Sequence, residues 1–120
     1  MQFDNNRPIY SQIMDDFKKK LARGEYAGGS RVASVRDLAL SYGVNPNTMQ
    51  KALSELEREG LLVTDRTAGR SVTPDAAAIE RLVESEKSEA ARRYVESMRA
   101  LGVPPDELPG ILEKYVKGEK

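Results

Sequence analysis

The side chains able to carry chemistry fall in three short stretches. The first is Asn45-Pro46-Asn47-Thr48-Met49-Gln50-Lys51, where amides, a hydroxyl and an ammonium crowd seven positions. Amides and hydroxyls both donate and accept hydrogen bonds, which suits the edges of base pairs in the major groove of duplex DNA. The second runs from Arg31 through Ser34 to Arg36. The third is Arg66-Thr67-Ala68-Gly69-Arg70, two arginines about a glycine. Guanidinium groups at such places suit phosphates and grooves. Composition closes most other chemistry. The 120 residues include no Cys and no His. That removes disulfides, thiolate or imidazole metal sites, cysteine nucleophiles and every triad with a histidine base. Carboxylates alone remain. Glu55 with Glu59, and Glu80 with Glu84, are four residues apart and read as charged helix faces. No metal, no cofactor and no enzymatic activity are expected.

Chain length points to one domain, or one small domain with an appendage. The chain is 39% hydrophobic and 32% charged, and its 19 basic side chains balance its 19 acidic ones. Zero net charge does not argue against nucleic acid, because the placement of the cations decides. Here Lys18, Lys19, Lys20, Arg23, Arg31 and Arg36 stand together against Glu25 alone. The lysine triplet by itself reads as a solvated helix face. The apolar runs are far too short to span a membrane. The first residues show no basic segment followed by an apolar one, so a cytoplasmic location is expected.

These residues must be held by a small set of elements. Pro8 to Ala22 reads as a helix whose apolar face is Ile9, Tyr10, Ile13, Met14, Phe17 and Leu21. Ser34, with Asp37 three residues on, signals a second helix start, and Gly43 its end. Asn45 can cap a third helix with Pro46 in its first position, reaching about Glu59 and burying Met49, Leu53 and Leu56. Two helices joined by so short a glycine-containing turn form a helix-turn-helix, whose second member is the one that reads DNA. Leu61–Asp65 and Arg70–Thr73 then read as a small hairpin, a wing with Arg66 and Arg70 about its tip. The N–H groups at the helix start near Ser34 suit a phosphate.

A boundary is expected near Pro74, dividing a DNA-binding domain (1–74) from a helical tail (75–120). The tail reads as a long helix with the stripe Ile79, Leu82, Val83, Ala90, Tyr94, Met98 and Leu101, broken by Gly102-Val103-Pro104-Pro105. A short helix carrying Leu108, Ile111, Leu112, Tyr115 and Val116 follows, and either begins at Pro109 or is strained just after Pro105. One long and one short helix cannot bury such a stripe alone. A homodimer paired through Ile79, Leu82, Val83, Tyr94, Met98, Leu101 and Leu112 is expected. The fold class is mainly α: a winged helix-turn-helix of three helices and a two-stranded wing, then a long and a short C-terminal helix.

Four fragments in order resemble the GntR family of bacterial transcriptional regulators. They are Ile9-Tyr10-x-Gln12-Ile13, Arg31-Val32-Ala33-Ser34-Val35-Arg36-Asp37-Leu38-Ala39, Val44 through Leu53, and Leu56-Glu57-Arg58-Glu59-Gly60-Leu61. The Asn45-Pro46-Asn47-Thr48 run, the Arg66–Arg70 segment and the short tail resemble its YtrA-type subfamily. The resemblance implies DNA contacts by Arg36, by Asn47, Thr48 and Gln50, and an approach to the minor groove at Gly69. It also implies repression and dimerisation through the tail. Many members carry Pro at the position of Ala33, Arg at that of Pro46 and Phe at that of Ser71. No contact carries over to Pro46. The full set of expected DNA contacts is Arg31, Ser34, Arg36, Asn45, Asn47, Thr48, Gln50, Lys51, Arg66, Gly69 and Arg70. Two other functions fit the same residues: a winged helix docking on a protein partner, and a regulator gated by a small molecule in a small pocket between tail and DNA-binding domain.

Overall fold

The computed structural model describes residues 1–118. Three helices build the first unit. Helix α1 spans Ile9–Ala22, α2 Val35–Tyr42 and α3 Pro46–Arg58. Pro8 caps α1 from outside, so its missing N–H costs the helix nothing. Ser34 Oγ accepts from the Asp37 N–H at 3.1 Å and opens α2. Gly43 closes α2 at φ 70°, a conformation that glycine adopts without a Cβ clash. Asn45 Oδ1 accepts from the Asn47 N–H at 2.7 Å and opens α3.

The apolar positions of these helices converge on one core. Ile13, Phe17 and Leu21 of α1 meet Leu38, Ala39 and Tyr42 of α2 and Met49, Ala52, Leu53 and Leu56 of α3. Gln12 is buried among them with its polar atoms satisfied. Its amide donates to the carbonyls of Asp4 and Arg7 at 2.6 and 3.0 Å, and accepts from the Asp4 N–H at 2.7 Å. It thereby moors the N-terminal segment to α1.

The wing follows α3. Strand β1 (Leu62–Asp65) pairs antiparallel with β2 (Gly69–Val72), in register from Leu62↔Val72 to Asp65↔Gly69. Asp65 Oδ1 accepts from the N–H and hydroxyl of Thr67 at 2.8 and 2.9 Å, closing the turn and holding this carboxyl below its ordinary range. The segment before α2 adds a third edge that the sequence did not suggest. Arg31 bridges Ser71, the Val32 N–H donates to the Arg70 carbonyl at 2.9 Å, and the Val72 N–H donates to the Ser30 carbonyl at 2.8 Å. Strand β2 therefore has backbone partners on both sides, and half-buried Ser71 holds its place without a large side chain.

Helix α4 spans Ala76–Ala100, with Asp75 Oδ1 accepting from the Ala77 N–H at 3.0 Å. The first compact unit runs Met1–Val83, past the boundary expected near Pro74, and the second is Glu84–Lys120. The reason is the start of α4: Leu82 is buried in the core of the first unit and Ile79 packs against it. In the second unit α4 ends at a left-handed Gly102, where the Val103 N–H returns to the Met98 carbonyl at 3.0 Å. A 3-10 turn (Pro105–Glu107) leads into α5, Leu108–Val116. Pro109 lies in the first turn of α5, where no intrahelical N–H is needed, so neither strain nor a later start is required.

A polar cluster joins α1 to α2. The Tyr42 hydroxyl donates to Asp16 Oδ2 at 2.7 Å, and Lys20 Nζ lies 3.3 Å from both that hydroxyl and Asp16. Burial pushes Asp16 up, but the hydrogen bonds from Tyr42 and Lys20 outweigh it and hold its carboxyl below the ordinary value. Stability from this carboxylate is therefore full above its unfolded pKa of about 3.9 and is lost as pH falls through the lower folded value. Tyr42→Phe should destabilise the domain by about 1–2 kcal/mol at neutral pH. Urea unfolding at pH 7 and at pH 3 checks this. The difference from wild type should shrink at pH 3, and an equal difference at both would detach Asp16 from the effect.

Candidate nucleic-acid interface

The packing of α3 decides which of its side chains face outward. Met49, Ala52, Leu53 and Leu56 fill the core, so Asn47, Gln50, Lys51 and Ser54 are left exposed on the opposite face. Thr48 is half-buried. Gln50 Nε2 donates to Ser54 Oγ at 3.1 Å, one turn on, which leaves its amide oxygen open. Asn45 is also exposed, with its side-chain oxygen engaged as the cap and its amide nitrogen open. Lys51 is drawn aside: its Nζ lies 4.2 Å from the centroid of the Tyr10 ring on α1. That cation–π contact ties it to α1 in the free protein, unlike its neighbours Asn47 and Gln50.

The start of α2 and the wing form a groove lined by Arg31, Val32, Ala33, Ser34, Val35, Thr64, Gly69 and Arg70. The Arg31 guanidinium leans over Gly69, close enough that a Cβ added there would stand 3.8 Å from Nη2. Gly69 itself has φ +79°, so a side chain at this position would be strained. Arg36 stands exposed in the first turn of α2. Beside it, the N–H groups of that turn point out of the helix, and only those of Asp37 and Leu38 are taken by Ser34. Arg66 is exposed in the tip of the wing.

Charge pairing divides the cations of the first unit. Lys18, Lys20, Arg23 and Arg58 each have a carboxylate partner. Arg31, Arg36 and Arg66 have no such partner among the described residues, and Lys19 and Lys51 also lack one. Uncompensated guanidinium groups around a groove, next to an outward amide-rich helix, are suited to a polyanion whose base edges can be read.

Arg70 departs from this pattern. It forms an ion pair with Glu57, in the last turn of α3, through its Nε. Burial raises the Glu57 pKa, but the hydrogen bonds from Thr64 and Arg70 and the charge of Arg70 prevail and keep it low. Nothing in the local sequence pattern marks Glu57 as a partner, because the pair spans twelve intervening residues and depends on the hairpin returning β2 over α3. In the second unit Tyr94 and Met98 are half-buried, while Leu101 and Leu112 are exposed. Val83 is half-buried at the end of the first unit. Leu82, expected at an interface between copies, is buried within one chain, and half-buried Ile79 packs against the same core at the start of α4.

Among the described residues no cluster of acidic side chains is arranged to hold a metal, and no helix is long and apolar enough to cross a membrane. The sequence signature of bacterial regulatory proteins of the gntR family matches residues 9–72. YhcF of Bacillus subtilis, an uncharacterized HTH-type transcriptional regulator, is 33% identical over 98% of this chain and 97% of its own length. The HTH-type transcriptional repressor YtrA of the same organism is 40% identical over 60% of this chain and 55% of its own length. Among solved structures, a GntR family transcriptional regulator from Listeria monocytogenes superposes with a TM-score of 0.86 at 32% identity, covering 93% of this chain and 98% of that one. With helix-turn-helix, wing and C-terminal helices all in place, and residues 9–72 matched within the first unit, the chain belongs to the gntR family of bacterial transcriptional regulators.

Proposed function

We propose that the protein is a sequence-specific repressor that binds a pseudo-palindromic operator as a homodimer. The observation that carries this reading is the groove lined by Arg31, Ser34 and Gly69, with Arg36 exposed on α2 and Arg66 at the wing tip, and none of the three arginines paired with a carboxylate among the described residues. Asn47, Thr48 and Gln50 take the base edges. Arg31, Arg36, Arg66 and the N–H groups at the start of α2 take phosphates, with Gly69 letting the wing tip approach the minor groove. Asn45 and Ser34 serve first as caps, and Lys51 reaches DNA only by leaving Tyr10.

Homodimerisation is supported by the apolar side chains that the second unit leaves in water: Leu101, Leu112, Tyr115 and Val116. Tyr94 adds to this, because its hydroxyl is buried without a hydrogen-bond partner among the described residues. A second copy is the occupant we assign to this face. A two-fold dimer sets the two recognition helices about 34 Å apart, so the half-sites stand one turn of DNA apart. Repression follows the similarity to YtrA, which is named a repressor. These roles place the protein with DNA in the cytoplasm.

Selection of bound duplexes from a randomised library tests the reading. The enriched sequences should show two inverted half-sites. Gln50→Ala should then relax the preference at one base pair per half-site, at a cost of about 1–3 kcal/mol. An unchanged profile removes Gln50 from the readout. Failure to enrich any sequence would favour a winged helix that docks on protein.

A further inference from the structure

We propose that the Glu57–Arg70 pair sets the angle of the wing against α3, so that Arg70 is a positioning residue for DNA binding and not itself a contact. The inference rests on the DNA-binding reading of this face. Strand β1 follows α3 directly in the chain, through Glu59, Gly60 and Leu61, whereas β2 joins the helix only by way of β1 and the hairpin turn. Its base is held by Val72, which is fully buried in the core. Two residues nearer the tip, on the same face of the strand, Arg70 reaches Glu57. Among the described residues this is the polar link between β2 and α3. Both side chains are largely withdrawn from water, at 17% and 28% exposure, so the charges are engaged with each other and not displayed. The Arg70 carbonyl also accepts from the Val32 N–H at 2.9 Å, and Arg70 stands opposite Thr64 in the hairpin. One residue thus joins the helix, both strands of the wing and the segment that leads into α2. The groove between wing and α2, with Gly69 and Arg31 on its rim, keeps its width only while that junction holds.

The two roles for Arg70 predict opposite results. The probe is a fluorescent duplex of the DNA lying immediately upstream of the protein's own reading frame. Glu57→Gln frees the Arg70 cation. A contact role predicts equal or tighter binding, whereas the positioning role predicts binding about 10-fold weaker. Arg70→Gln should weaken binding to a similar degree while leaving the slope of log affinity against log salt unchanged. A lost phosphate contact would flatten that slope by about 0.9 for each copy bound. Glu57→Arg combined with Arg70→Glu should recover most of the loss produced by either change alone, because the pair is rebuilt with reversed sign. A contact role predicts the weakest binding of the series, since a carboxylate would then face phosphate. Thermal melting of each variant accompanies the titrations, and Glu57→Gln decides the matter should Arg70→Gln fail to fold. Arg36→Ala is the control. Undiminished binding by Arg36→Ala would sink the DNA-face reading itself, whereas full binding by Glu57→Gln beside a weakened Arg36→Ala would overturn only the positioning role.

Discussion

Arg36→Ala is expected to weaken operator binding about 100-fold or more while leaving thermal stability within about 0.5 kcal/mol of wild type. The stability half follows from the surroundings of Arg36. It lies exposed on the first turn of α2, has no salt-bridge partner among the described residues, and contributes nothing to the core. The binding half follows from where it stands. It shares the first turn of α2 with N–H groups at the positive end of the helix, and it follows Val35, which lines the groove between α2 and the wing. A charged hydrogen bond lost there costs about 1.5–3 kcal/mol, and a two-fold complex loses it twice. Arg36→Lys should recover only part of the loss, because an ammonium keeps the charge without the guanidinium fork. Titration of the upstream duplex by fluorescence anisotropy, beside a melting curve, measures both halves. Near wild-type affinity would remove Arg36 from the interface.

Breaking the tail should have an effect at least as large. Leu112 on α5 is 45% exposed within one chain, so Leu112→Glu has little to disturb in the monomer. On the two-copy reading it places a carboxylate in an apolar interface. Light scattering should then show a monomer where the wild type is a dimer. Operator affinity should fall by about 100-fold to 10,000-fold, because each half-site must be bound without the gain from linkage. Exposed Leu101 and Val116 offer a second route to the same result, which guards against a purely local cause. A wild-type protein that is monomeric at micromolar concentration, or a Leu112→Glu dimer of undiminished affinity, would contradict the assignment of this face.

Much of this molecule is legible from its residues, and what is hidden follows a physical rule. The caps at Ser34 and Asn45, the left-handed stop at Gly43 and the face of α3 all depend on residues within four positions of one another, so the sequence displays them. The wing is visible because Thr67-Ala68-Gly69 must turn. Contacts that need the finished fold are not displayed. The third edge of the wing, at Ser30 to Val32, has too few residues to show an alternating pattern. Arg70 looks like any arginine at a hairpin tip until β2 carries it back over Glu57. Lys51 looks like part of a polar recognition surface until α1 presents Tyr10 beneath it. Ile79 and Leu82 carry the same helical spacing as the rest of their stripe, and spacing alone does not tell a side chain that meets its own domain from one that meets a second copy. The outward face of α3, by contrast, follows from residue type and spacing.

The central claim is that the α2–α3 face and the wing bind DNA in a sequence-dependent way. Its most direct test is the affinity of the wild-type protein for its own upstream DNA against a scrambled duplex of equal length, at 50 and 200 mM salt. Binding that is tighter on the native duplex, and that falls steeply between the two salt concentrations through counterion release, is the predicted result. Equal binding to the two duplexes, or an affinity that does not change with salt, would contradict it.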